Sequence, residues 1–186
     1  MIARVRTIQL TSGELTQVIP SIRDEELRAL RHEPGYAGTL VLASRPGAAS
    51  AERVEAIILW DDAHAMPPPA TPSEARVYEV ALSAGIPGGT VARFISAHLY
   101  PGNIDTVVTL FENVVMHAAT TQLGFRRGLL MIDRAGDNAI SIGLWQSEAD
   151  LHASEQTGYL GQQIGNFTQI VAAPIVPETL VVVIEE

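Results

Sequence analysis

The chain has 186 residues, 47% of them apolar, and all 12 of its basic side chains are Arg. Without Lys or Cys it has no Schiff-base lysine, P-loop lysine, cysteine nucleophile, disulfide or thiolate metal ligand. Its 21 acidic residues set a formal net charge of −9, which argues against nucleic acid or an anionic membrane as partner.

No apolar run approaches the roughly 18 residues of a membrane span. The opening MIARVRTIQL lacks the apolar centre and cleavage site of a secretory peptide, so the cytoplasm is the expected compartment. Self-comparison shows one unit written twice. A shift of 89 residues aligns Ala3 to Arg45 with Ala92 to Arg134, matching Arg4 with Arg93, Gly13 with Gly102, Gly35 with Gly124 and Arg45 with Arg134. After a turn four residues shorter in the second copy, Leu59-Trp60 falls on Leu144-Trp145.

The pattern predicts a β-α-β-β-α-β order for each copy, the first over residues 1–84 and the second over 90–186, joined by the linker Gly85-Ile86-Pro87-Gly88-Gly89. In the first copy Pro20 falls inside the first helix and should kink it or mark a late start. Its second helix is missing: Met66-Pro67-Pro68-Pro69-Ala70-Thr71-Pro72 reads as extended and partly polyproline-like. A strand over Arg76 to Leu82 closes the copy.

In the second copy, β-rich Val91 to Tyr100 ends at the turn Pro101-Gly102. Ile104, Val107, Val108, Phe111, Val114, Val115 and Ala118 then recur at helical spacing, and Gly124 sits where a helix C′ glycine belongs. Two strands follow, Leu129 to Ile132 and Ala139 to Trp145, around the turn Arg134 to Asn138. Ser147-Glu148-Ala149-Asp150 has the form of a capping box opening a second helix. The wholly apolar Leu180 to Ile184 predicts a strand covered on both faces.

Gly124-Phe125 before a strand, and then Leu144-Trp145-Gln146-Ser147-Glu148-Ala149-Asp150-Leu151-His152, resemble the antibiotic-biosynthesis monooxygenase family. The resemblance implies ferredoxin-like βαββαβ units whose two sheets close into an α+β barrel. Members of that family build the barrel as homodimers; here it would form within one polypeptide as a pseudo-dimer, with further homodimerisation left open. It also implies oxygenation with no metal, flavin or other cofactor, in an apolar cavity between a sheet and its helices. There a small aromatic, quinol or polyketide-like substrate is deprotonated and its electron-rich anion meets oxygen directly. The helix position that is commonly His in quinol-monooxygenase-like members is Ser154 in this chain. The alternative is a non-catalytic small-ligand-binding or stress-response protein on the same barrel.

Period-2 parity puts His98 and Tyr100 on one face of the strand Val91 to Tyr100, together with Phe94. A base and a phenol side by side suit proton abstraction, so His98 is the expected base and Tyr100 the expected donor. Trp145 is the expected cavity wall, with Phe94, His152 and Tyr159 around it. Each has a plainer alternative: Trp145 as packing, His152 as a solvated partner of Glu155, and Arg4 and Arg93 as strand anchors. No His and carboxylate set has metal-ligand spacing, so no metal is expected.

Overall fold

The computed structural model describes residues 1–11, 13–45, 52–68 and 75–186. Eight strands carry the fold: β1 (Ile2–Gln9), β2 (Tyr36–Ala43), β3 (Arg53–Trp60), β4 (Ala75–Gly85), β5 (Val91–His98), β6 (Phe125–Asp133), β7 (Asn138–Trp145) and β8 (Glu178–Glu185). They form a closed antiparallel barrel in the order β1-β3-β2-β8-β5-β7-β6-β4. Read from β4, the first four strands run β4-β1-β3-β2 and the second four repeat that order as β8-β5-β7-β6. By contacts the chain divides into one unit of Met1–Glu79 with Leu180–Glu186 and another of Val80–Thr179. The sequence repeat places Leu180 to Glu186 in the second copy, whereas its contacts group it with the first unit, where β8 pairs with β2 from Leu40↔Glu185 to Ala43↔Val181.

In the first unit β1 lies between β3 and β4, with Ile2 opposite both Trp60 and Glu79. Helix α1 runs through Leu15–Ser21, a π-helical segment Ile22–Glu26 and Leu27–Leu30. It continues through Pro20, which sits just before the π-helical segment. Proline does not account for that segment, because the second unit has one at the matching place without it. Ile22 and Leu27 pack with Val41, Ala43, Val54 and Ile184 into this unit's core. Pro69 to Pro72, part of the expected extended stretch, lies outside the described residues; Pro67 and Pro68 belong to no regular element. β8 departs from its expected two-sided cover: Leu180 and Ile184 are buried, but Val181 is 37% exposed.

In the second unit β7 is central, pairing with β5 from Val91↔Trp145 to His98↔Asn138 and with β6 from Phe125↔Trp145 to Asp133↔Asn138. Helix α2 comprises Ile104–Leu110, the π-helical Phe111–Met116 and His117–Ala119. Gly124 has φ +75°, a left-handed conformation that suits glycine at a helix end. Helix α3 (Glu148–Gln156) opens on Ser147, whose Oγ accepts the Asp150 N–H at 3.2 Å. Helix α4 (Tyr159–Gly165) follows directly. Beyond it Val171 bridges Leu99, and the flanking bonds Tyr100 N–H to Ile170 O and Ala172 N–H to His98 O, at 2.9 and 2.8 Å, hold the return segment against β5. No helix among the described residues is long and apolar enough to cross a membrane.

Candidate functional site

Within the second unit, the sheet face carrying Ile95, Ala97 and Leu99 meets the apolar stripe of α2 and the inner face of α4. The space between them is a cavity of about 100 Å³. A cavity of that order admits several waters or one compact ring. Two strand positions without side chains help to keep it open. A Cβ on Gly128 would run into the Met116 sulfur, and one on Gly143 would stand 3.4 Å from Trp145 Nε1. The π-helical turn supplies Phe111, Val115 and Met116 to the wall.

Against this apolar lining stand a few polar groups, all from residues that line the cavity. Arg93, the third residue of β5, is 6% exposed. Its Nη2 donates to Glu155 Oε1 at 3.0 Å, Ser154 Oγ at 3.3 Å and Leu151 O at 3.4 Å, and its guanidinium lies 5.3 Å from the Trp145 ring centroid. Its Nε–H has no hydrogen-bond partner. Trp145, at the end of β7, packs edge-on against Phe125 with centroids 5.5 Å apart, and its Nε1–H is also unpartnered. From α4, Tyr159 and Gln163 stand four residues apart and so share one helix face. Gln163 is 8% exposed with its Oε1 unpartnered, and Tyr159 is buried to the same degree. Buried polar groups without partners cost roughly 1–3 kcal/mol each, so the residues lining this one small cavity carry two unmet donors and one unmet acceptor.

Burial raises the Tyr159 pKa, opposed by the Arg93 charge, so this phenol stays protonated at neutral pH. Behind Arg93, Glu155 also accepts from His152, whose Nδ1 lies 3.1 Å from Glu155 Oε2 and whose Nε2 lies 3.1 Å from Glu148 Oε1. For Glu155 the largest single effect is burial, which raises its pKa. The hydrogen bonds from His152 and Arg93, with the charges of both, together outweigh it and hold the carboxyl below its usual value. Hydrogen bonds to Glu155 and then Glu148 raise the His152 pKa. A surface imidazole thus reaches the cavity wall through one carboxylate and one guanidinium.

The structure brings Trp145 and Tyr159 to the cavity and keeps the other expected residues out of it. His98 is exposed, with Nδ1 3.2 Å from Asn138 Oδ1, and Tyr100 is 52% exposed. Phe94 is buried, but outside the cavity lining. The parity was correct and the face was not: Arg93, Ile95, Ala97 and Leu99 point into the cavity, so His98 and Tyr100 point away from it. This corrects the expected base and donor. His152 lies on the solvent side of α3 and touches the site only through Glu155. Sequence reasoning missed Gln163 and read Arg93 as a strand anchor. The available signals were a charged residue inside an otherwise apolar strand face and a polar residue one helical turn after Tyr159. Ser154, at the position commonly His in the resembled family, is buried and bonded to Arg93 and to Leu151 O.

The first unit keeps the matching pair, Arg4 and Trp60, each with an unpartnered buried N–H. There, however, the Arg4 Nη2 donates to the Pro67 carbonyl. The proline-bearing segment contacts Arg4 where the second unit has α3 and α4, and no counterpart of Tyr159 or Gln163 exists among the described residues.

No family model and no curated protein matches the sequence. Solved structures match in fold. A "putative monooxygenase" from Fusobacterium nucleatum is 12% identical with a TM-score of 0.77, the match covering 100% of this chain and 93% of that one. An anthrone oxidase-like protein is 15% identical with a TM-score of 0.64, covering 100% and 92%. A ferredoxin-fold protein from Listeria monocytogenes, related to antibiotic biosynthesis monooxygenases, is 15% identical with a TM-score of 0.63, covering 97% and 94%. The chain therefore shares the fold of these ferredoxin-fold, monooxygenase-like proteins over its whole length.

Proposed function

We propose that the second unit binds a small aromatic molecule with an acidic hydroxyl in the Arg93–Trp145 cavity and oxidises it with molecular oxygen, without metal or flavin. The observation that carries this reading is the unpartnered donor pair, Arg93 Nε–H and Trp145 Nε1–H, in an apolar wall. Two donors on one ligand oxygen favour its deprotonated form, and a cation beside it adds to that preference. The resulting phenolate is an electron-rich carbon nucleophile towards oxygen. One oxygen atom bonds to a ring carbon in place of its hydrogen, the O–O bond breaks, and the other oxygen leaves as water that carries the phenolic and ring protons. The product is a quinone and the substrate supplies all four electrons. The apolar walls exclude bulk water around the anion, which strengthens both hydrogen bonds. The likeness in fold to an anthrone oxidase-like protein supports the same class of chemistry.

A second reading, non-catalytic binding of the same ligand, is favoured by one specific feature: no imidazole or carboxylate lines the cavity among the described residues. Oxygen consumption with hydroquinone and related diols, measured alongside calorimetric binding, separates the two. Binding with oxygen uptake that falls at least tenfold in Arg93→Met supports oxidation. Binding without uptake on any diol overturns it in favour of the second reading.

A further inference from the structure

We infer that Gln163 is the specificity-determining residue of this cavity, reading a second polar group on the ligand at a separate place from the Arg93–Trp145 donors. The inference rests on the proposed ligand-binding role of the cavity and adds the ligand's chemical class: a compact aromatic body with two polar substituents. A phenol with only one hydroxyl leaves Gln163 unanswered.

The argument begins with burial. Gln163 is 8% exposed, lines the cavity, and makes no side-chain hydrogen bond among the described residues. Its amide carries an acceptor oxygen and two donor hydrogens, so it is the largest unmet hydrogen-bonding capacity in the lining. Its neighbours along the same wall, Leu160, Ile164 and Phe167, have no polar side-chain atoms with which to satisfy it. Its helix is also too short and too close to its ends to explain a polar residue by periodicity alone, since Tyr159, four residues earlier, is buried on the same face. Arg93 and Trp145 offer only donors from their unpartnered atoms, whereas the Gln163 oxygen offers an acceptor. The lining is therefore complementary to an acceptor on one part of the ligand and a donor on another. A hydroxyl satisfies the amide in either orientation of its oxygen and nitrogen, because a hydroxyl both donates and accepts.

Such a site discriminates strongly. A pocket built to hydrogen-bond a hydroxyl rejects the analogue lacking it, since the pocket's own buried group is then left unpaired. Hydroquinone and p-cresol provide the test, differing by a hydroxyl against a methyl of similar size. Binding of each to the full chain is measured by calorimetry under anaerobic conditions, for wild type and Gln163→Leu. Wild type is expected to bind hydroquinone at least tenfold more tightly than p-cresol. Gln163→Leu is expected to abolish or invert that preference while its thermal midpoint stays equal to or above wild type, as removal of an unsatisfied buried amide requires. Equal affinities in wild type, or a hydroquinone preference that persists in a folded Gln163→Leu, overturn the role of Gln163 and leave the cavity reading standing. Should Gln163→Leu fail to fold, Gln163→Met supplies the same comparison. Binding of neither probe to wild type overturns the cavity reading and this inference together.

Discussion

Replacing Arg93 with Met separates the structural work of the guanidinium from its work on a ligand. The Met side chain fills much the same volume along β5 but loses the 3.0 Å bond to Glu155, the weaker bonds to Ser154 and Leu151, and the stacking on Trp145 at 5.3 Å. A hydrogen bond to a charged partner contributes about 1.5–3 kcal/mol, and here the low end applies because the Glu155 side chain is 35% exposed and regains water. The cation–π contact adds about 0.5–2 kcal/mol. Relief of the buried charge offsets part of both, since a desolvated guanidinium is costly and Met is not. Ser154 keeps its own 2.7 Å bond to Leu151 O, so no new unsatisfied hydroxyl appears. The net loss works out at about 2 kcal/mol, a fall of roughly 4–8 °C in thermal midpoint for a chain of this size. Arg93→Lys, which keeps the charge but not the planar stacking group, should lose less. Calorimetric unfolding of both variants checks this ordering. A midpoint for Arg93→Met within a degree of wild type, or a larger loss in the Lys variant, would show that the guanidinium contributes no stability through Glu155 and Trp145.

The left-handed glycines give a paired test. Gly124→Ala forces a side chain into φ +75° and directs its Cβ onto the Asp150 side chain, whereas Gly102→Ala meets a similar φ of +82° with nothing within 4 Å. Gly102→Ala should cost about 1–2 kcal/mol from the backbone alone and Gly124→Ala clearly more, with urea unfolding as the measure; equal costs would contradict the steric part. For pH, the His152 pKa is raised in the folded protein by Glu155 and Glu148, so its stabilising increment is fully present below about pH 6.5 and is lost as pH rises through the folded value. His152→Asn should therefore lower the thermal midpoint in mildly acidic buffer and match wild type in alkaline buffer. A difference that grows with pH would contradict the pairing.

Local chemistry made much of the architecture legible. Gly35 and Gly124 mark the ends of the long helices, Ser147 caps α3 as its spacing indicates, and β5 alternates with the expected period from Ile95 to His98. Features that depend on distant residues were not legible. The π-helical segments at Ile22–Glu26 and Phe111–Met116 have no sequence signature, and the Pro-rich stretch gave no hint that the Pro67 carbonyl would accept from Arg4. Apolar character at Leu180 to Ile184 indicated a strand but overstated its cover, because Val181 remains exposed.

The sequence alone determined the main strands and helices and the two faces of β5, because turn residues and side-chain periodicity act over a few positions. Only the tertiary structure decided which of those faces the helices would cover. Both begin with buried residues, Ala92 and Phe94 on one and Val91 and Arg93 on the other, so hydrophobicity did not distinguish them. The packing of α2 and α4 over Arg93, Ile95, Ala97 and Leu99 made that face the cavity and left His98 and Tyr100 in solvent. It also turned Gln163, an unremarkable polar residue in the chain, into an unpaired group in an apolar wall.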